Sequence, residues 1–203
     1  MKHLKIIVVF VLAGSLFCAF AFRQKSDSVE KTNTVQEEGI HWHTFKEALE
    51  LSKKEKRKVF MDVYTSWCGW CKVMEKNTFS DPIIAKYVNE HFYAVKLDAE
   101  MKDTVVFNNY AFVNPNPAVQ RSTHQLAAFF LSNKMSYPTT VYLDENFNLL
   151  TQVPGYMQPA QLEPILKYFG DNAYVNMKWD EYQKNFKGEI NSQPPPVTPP
   201  VTH

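Results

Sequence analysis

The stretch "TSWCGWCK", Thr65 to Lys72, decides how the rest of the chain is read. Two cysteines stand three positions apart, with Trp67 before the pair and Trp70 inside it. Such a pair is half of a zinc site, a structural disulfide, or a reactive redox couple. Just upstream, "KVFMDVY" (Lys58 to Tyr64) is β-branched and aromatic and predicts a buried strand. Downstream, a helix is predicted from about Gly69 to Asn77. The pair therefore sits at a turn from strand to helix.

The N-terminus bears on the compartment. Lys2, His3 and Lys5 make a basic start, and Leu4 to Phe22 is almost wholly apolar. Ala19-Phe20-Ala21 fits the small-x-small rule, so cleavage of a signal peptide is expected after Ala21. An uncleaved anchor is the rival reading, since the run is nearly long enough to span a bilayer. Lipid attachment at Cys18 is a third, against which Phe17 stands in place of a small residue. All three carry the domain across a membrane. Without the leader, Cys68 and Cys71 are the only cysteines left. A bridge closing so short a loop constrains little of the unfolded chain and is a weak staple. Zinc needs four ligands, and there is no second cysteine pair. His41 and His43 have a ligand-like spacing, but so do many surface strands. Chemistry is the better reason for the pair.

Removing Lys2 and Lys5 leaves 20 basic against 21 acidic residues, a net charge of −1. Neither a basic stripe for nucleic acid nor an acidic block is present. The expected organisation is a signal peptide at 1–21, a polar linker at 22–39, a domain at 40–187 and a proline-rich tail at 188–203 that ends "NSQPPPVTPPVTH". Within the domain, strand and helix alternate. A short strand is predicted at Ile40–Thr44 and an amphipathic helix at Phe45–Lys54. Asp81 caps a helix that opens on Pro82. Strands follow at Phe92–Leu97, Thr139–Leu143 and Leu149–Val153, with helices at Gln125–Leu131 and Pro159–Phe169. This alternation predicts an α/β fold, a layered sheet with helices on both faces.

In this order the residues resemble the thioredoxin-like thiol–disulfide oxidoreductases, over roughly Ile40 to Phe169. "WCGWCK" opens a helix after a strand, and Asp62 lies six residues before Cys68, where thioredoxins keep a buried aspartate. Tyr137-Pro138-Thr139 matches the family's cis-proline turn, Gly155 the glycine after its last strand, and Lys96 the lysine beside its aspartate. The chain is similar in particular to exported bacterial members with the sequence "MSYPTTV". The resemblance implies a mixed central sheet and exchange of disulfides with exported proteins. It also implies that Tyr137 and Pro138 present backbone to an extended substrate, as in strand addition, although an ordinary turn would give the same residues. Trp67 matches the family. Trp70 replaces the proline of thioredoxin itself and leaves the direction, reductase, oxidase or isomerase, open. Gly69, Lys72, Lys96 and Gly155 are expected in support. The expected partners are protein thiols or disulfides and a membrane electron donor, with no cofactor beyond the cysteine pair, no metal and no nucleic acid. The protein is expected to be periplasmic or otherwise exported, and a monomer. A redox-silent binding module is the alternative.

The chemistry also follows from the residues. Cys68 at a helix start would ionise readily, because free N–H groups and the helix dipole favour negative charge. Cys71, one turn in, would resolve the mixed disulfide. Asp62, mid-strand among apolar neighbours, would have a raised pKa and suit the role of proton acceptor; a carboxylate bonded to backbone is the other possibility. Lys96 and Pro138 are 42 positions apart, more than the family pattern has. The surplus, about 101–123, includes "TVVFNNYAFV", whose Asn108-Asn109 predicts a β-hairpin from Thr104 to Val113. Loops of this length usually serve a function. Partner selection near the site and simple decoration both fit.

Overall fold

A computed structural model of the protein describes residues 39–190. The expected signal peptide, most of the expected linker and the chain from 191 onward lie outside the described residues. In chain order the elements are β1 (Trp42–His43), α1 (Phe45–Ser52), β2 (Lys58–Tyr64), α2 (Gly69–Asn77), α3 (Pro82–His91) and β3 (Phe92–Asp98). There follow β4 (Val105–Phe107), β5 (Tyr110–Phe112), α4 (Gln125–Phe130), β6 (Thr139–Leu143), β7 (Leu149–Pro154), α5 (Pro159–Gly170) and α6 (Trp179–Asn185). Five strands make one mixed sheet in the order β1-β3-β2-β6-β7. β2 runs parallel to β3 and antiparallel to β6.

Alternation along the strands sorts the core into two layers. Val59, Met61 and Val63 of β2 join Val95 and Leu97 of β3 and Val141 and Leu143 of β6 on one face, against α1, α4 and the β4–β5 hairpin. Phe60 and Tyr142 turn to the other face, against Met74 of α2, Ile84 and Val88 of α3, and Leu162 and Leu166 of α5. Asp62, two residues from Phe60, and Thr140, two from Tyr142, are register partners and share that second face. β2 is buried at every residue but Tyr64, so the polar Asp62 stands out.

Local signals set the element ends. The Thr44 hydroxyl accepts from the Glu47 N–H, and Glu47 returns a bond to the Thr44 N–H, a capping box that starts α1. Asp81 accepts from the Ile83 and Ile84 N–H groups at the head of α3. The β4–β5 hairpin turns on Asn108 and Asn109, both at positive φ, as a two-residue primed turn requires. α6 has no counterpart in the sequence reading. Its Trp179 and Tyr182 rings rest on Tyr168 of α5 at 5.2 and 5.0 Å. The chain after it is also held, because the Glu163 carboxylate accepts from the Glu189 and Ile190 N–H groups. The docked chain thus runs to Ile190, past the boundary at 187 read from the sequence. Among the described residues no helix is long and apolar enough to cross a membrane.

Candidate active site

The central strand β2 ends at Tyr64, and α2 begins at Gly69, four residues beyond Thr65. Cys68 and Cys71 form a disulfide with an S–S distance of 2.07 Å. Cys68 is the N-cap of α2, and its sulfur accepts the Cys71 N–H at 3.1 Å. Both cysteines are 5% exposed, so burial does not distinguish an outer sulfur from a shielded one. Gly69 and Lys72 are exposed on the first turn of α2.

The two tryptophans stand out from this surface, Trp67 48% and Trp70 38% exposed. Trp67 meets the Tyr137 ring edge-on at 5.9 Å. That contact brings the Tyr137–Pro138 turn to the residue before Cys68, and the peptide bond of the turn is cis. Gly155 donates its N–H to the Pro138 carbonyl at 2.8 Å, with φ at +99°. A left-handed backbone at that point suits glycine. Trp70 lies against Tyr156, the next residue, at 5.4 Å. The rim is thus drawn from α2, the turn before β6, and the end of β7.

Beneath the rim lies a chain of charges. Asp62 is fully buried, and its Oδ2 accepts from the Lys96 ammonium at 2.6 Å. Its other oxygen has no hydrogen-bond partner among the described residues. Burial pushes the Asp62 carboxyl up from the ordinary range, Lys96 pulls it partly back, and Glu75 adds to the rise. Lys96 also pairs with Glu75 of α2, and its ammonium lies 4.7 Å from the centre of the Trp42 ring. A cavity of about 240 Å³ is lined by Cys71, Lys72, Glu75, Lys96 and Tyr64 to Ser66. Asp62 is not in its wall; Lys96 links the carboxylate to the space beside Cys71.

Sequence reasoning missed Glu75, although its position one helical turn after Cys71 was a usable signal. It also missed Glu100 and Arg121. Glu100 Oε1 accepts from the Trp67 indole N–H at 2.8 Å, and the Arg121 guanidinium lies 4.9 Å over the Trp67 ring. Nothing in the linear sequence connects them to Trp67. His41 and His43 stand apart from the cysteines: the His41 N–H bonds Asn89, and the His43 ring packs on Tyr93. Among the described residues no three His, Cys, Asp or Glu side chains gather as a metal site.

Comparison with known proteins matches residues 23–191 to the Thioredox_DsbH family, described as "Protein of unknown function, DUF255". The chain is 37% identical over 75 residues to the uncharacterized protein B0495.5 of Caenorhabditis elegans, covering 36% of this chain and 10% of that one. It is 24% identical over 129 residues to the disulfide bond reductase DsbH of Chlamydia pneumoniae, covering 63% of this chain and 70% of that one. A solved DsbH oxidoreductase aligns with a TM-score of 0.48 at 17% identity, over 68% of this chain and 90% of its own. The chain spans about a tenth of the length of the first curated relatives it matches. The family match covers most of the chain, including every element of the sheet and the whole of the site, and the protein belongs to the thioredoxin-like Thioredox_DsbH family.

Proposed function

We propose that the protein is an exported thiol–disulfide oxidoreductase that reduces disulfides in protein substrates through Cys68 and Cys71. The observation that carries this reading is the Cys68 sulfur at the head of α2, accepting the Cys71 N–H. A helix N-terminus favours a thiolate there over a thiol. In the reduced protein the Cys68 thiolate attacks a substrate disulfide. A bond forms between Cys68 and one substrate sulfur as the substrate bridge breaks, and the other sulfur leaves as a thiolate that takes a proton from water. Cys71 then passes its proton through a water to Asp62 and attacks Cys68. The second substrate sulfur departs, and the protein keeps the Cys68–Cys71 disulfide, having given two electrons. A dithiol donor, in our reading a membrane protein, restores the reduced pair. Trp67, Trp70, Tyr137 and Pro138 dock the substrate chain, while Gly69, Lys72, Lys96 and Gly155 support the two reactive ends. The protein works as a monomer, with no cofactor beyond its own sulfurs and no part in nucleic-acid binding.

The reducing direction is supported by the name of the Chlamydia pneumoniae relative, a disulfide bond reductase. Export is supported by the basic start and the apolar run to Phe22. The near-complete burial of both cysteines favours a second reading, a redox-silent module whose pair stays locked. Insulin reduction driven by dithiothreitol separates the two: the protein should accelerate it, and Cys68→Ser should not. Equal rates for the two proteins would favour the silent module. The reduction potential then decides direction, with a value near the thioredoxin level of about −270 mV expected and one near about −120 mV pointing to an oxidase.

A further inference from the structure

Beside the rim, Trp67, Glu100, Arg121, Thr123, Met135 and Tyr137 enclose a groove of about 330 Å³. Two of its walls, Trp67 and Tyr137, belong to the rim described above. Glu100, Arg121 and Thr123 come from the segment between β3 and α4, and Met135 from the segment between α4 and β6. That segment is pinned through Asn114, which is 7% exposed. The Asn114 amide donates to the carbonyls of Glu100, Met101 and Ser122 at 3.4, 3.3 and 2.8 Å. Its Oδ1 accepts from the Asn116 N–H and the Ser122 hydroxyl at 3.1 and 2.6 Å. Two bonds to Ser122 hold the neighbouring Arg121, whose φ is +60°.

The guanidinium is held over Trp67 but has no ion pair or hydrogen bond among the described residues. A guanidinium carries five donors and matches a carboxylate in shape as well as charge. The groove's own carboxylate, Glu100, is bonded to the Trp67 indole instead. We infer that this groove takes the polypeptide flanking the cysteine under attack, and that Arg121 selects chains bearing an aspartate or glutamate there. This specificity rests on the exchange activity proposed above. Because the segment is already pinned by Asn114, binding need not order it, and little affinity is lost to that cost.

The test uses the full protein, recycled by dithiothreitol, on peptides with one internal disulfide. The peptides differ only in carrying Asp or Lys, scanned through the positions flanking the bridge. At one or more positions kcat/KM should favour Asp by about two- to fivefold at low salt, the scale of a partly exposed charge pair. The preference should shrink as salt is raised, survive in Arg121→Lys and reverse in Arg121→Glu. A wild-type ratio near one at every position, or a ratio unmoved by Arg121→Glu, would overturn the inference. Hydroxyethyl disulfide, which has no peptide, reports on exchange alone. If the wild-type protein fails to reduce it, the proposed activity itself falls, and the groove's role with it.

Discussion

Asp62 and Glu75 compete for one ammonium, and the outcome sets how well Asp62 suits the proton-acceptor role proposed for it. Lys96 reaches both carboxylates. Glu75→Gln should leave Lys96 wholly to Asp62 and lower its pKa. The pH profile for resolving a mixed disulfide, followed by stopped flow, should then shift to lower pH; an unmoved profile would take Glu75 out of the site's electrostatics. Asp62→Asn removes the proposed acceptor. Resolution should slow by about 10²-fold or more near neutral pH, with the loss shrinking at high pH as Cys71 ionises unaided. The same substitution carries a stability prediction. A carboxyl raised in the folded state contributes stability in full below its ordinary range, and that stability is lost as pH rises through the folded value. Thermal unfolding of the wild type should therefore weaken relative to Asp62→Asn over that window, and parallel curves would contradict it. The resemblance already set Lys96 beside the aspartate, and the variant leaves that lysine paired with Glu75 alone. The aspartate was legible as a polar residue in an apolar strand, whereas its triad with Glu75 needed β3 and α2 to be brought together.

At the scale of elements, legibility followed the strength of local signals. β2, α2 and β6 run over the residues predicted for them, because each is a dense apolar or capped segment bounded by turn residues. The Asn108-Asn109 turn was likewise readable from two residues that tolerate positive φ. Asn109→Gly should stabilise the protein by a few tenths of a kcal/mol, since glycine takes that conformation without a Cβ penalty. A rise in the unfolding midpoint would bear this out, and a fall would mean that the Asn109 side chain contributes contacts of its own. α6 was not legible. "WDEYQKN" has no apolar stripe, and none of its residues is buried. It is held by the Tyr168 ring of α5, a contact that no linear pattern announces. The loop around Asn114 was visible only as excess length, because its order comes from one amide side chain bonded to both ends of the loop.

At the scale of the whole molecule, the last described residues are fastened by the buried Glu163 carboxylate, with a Lys167–Glu189 ion pair beside it. Burial alone would raise Glu163, but the N–H groups of Glu189 and Ile190 and the Lys167 ammonium outweigh it and hold the carboxyl below its ordinary range. Stability from a depressed carboxyl is present above its unfolded pKa and is lost as pH falls through the folded value. Acid should therefore release this segment, seen as faster amide hydrogen exchange at Glu189 and Ile190 on acidification, after correction for intrinsic rates. In Glu163→Gln the acid dependence should disappear, and an unchanged dependence would assign the release to other groups. The strand order has a consequence of another kind. Synthesis delivers β1, β2 and β3 by Asp98, but β6, which closes the second edge of β2, begins 41 residues later at Thr139. At ordinary elongation rates that interval lasts about 2–8 s. Throughout it, an apolar strand edge is open to other chains. The nascent chain is therefore most open to aggregation in the seconds before its sheet is completed.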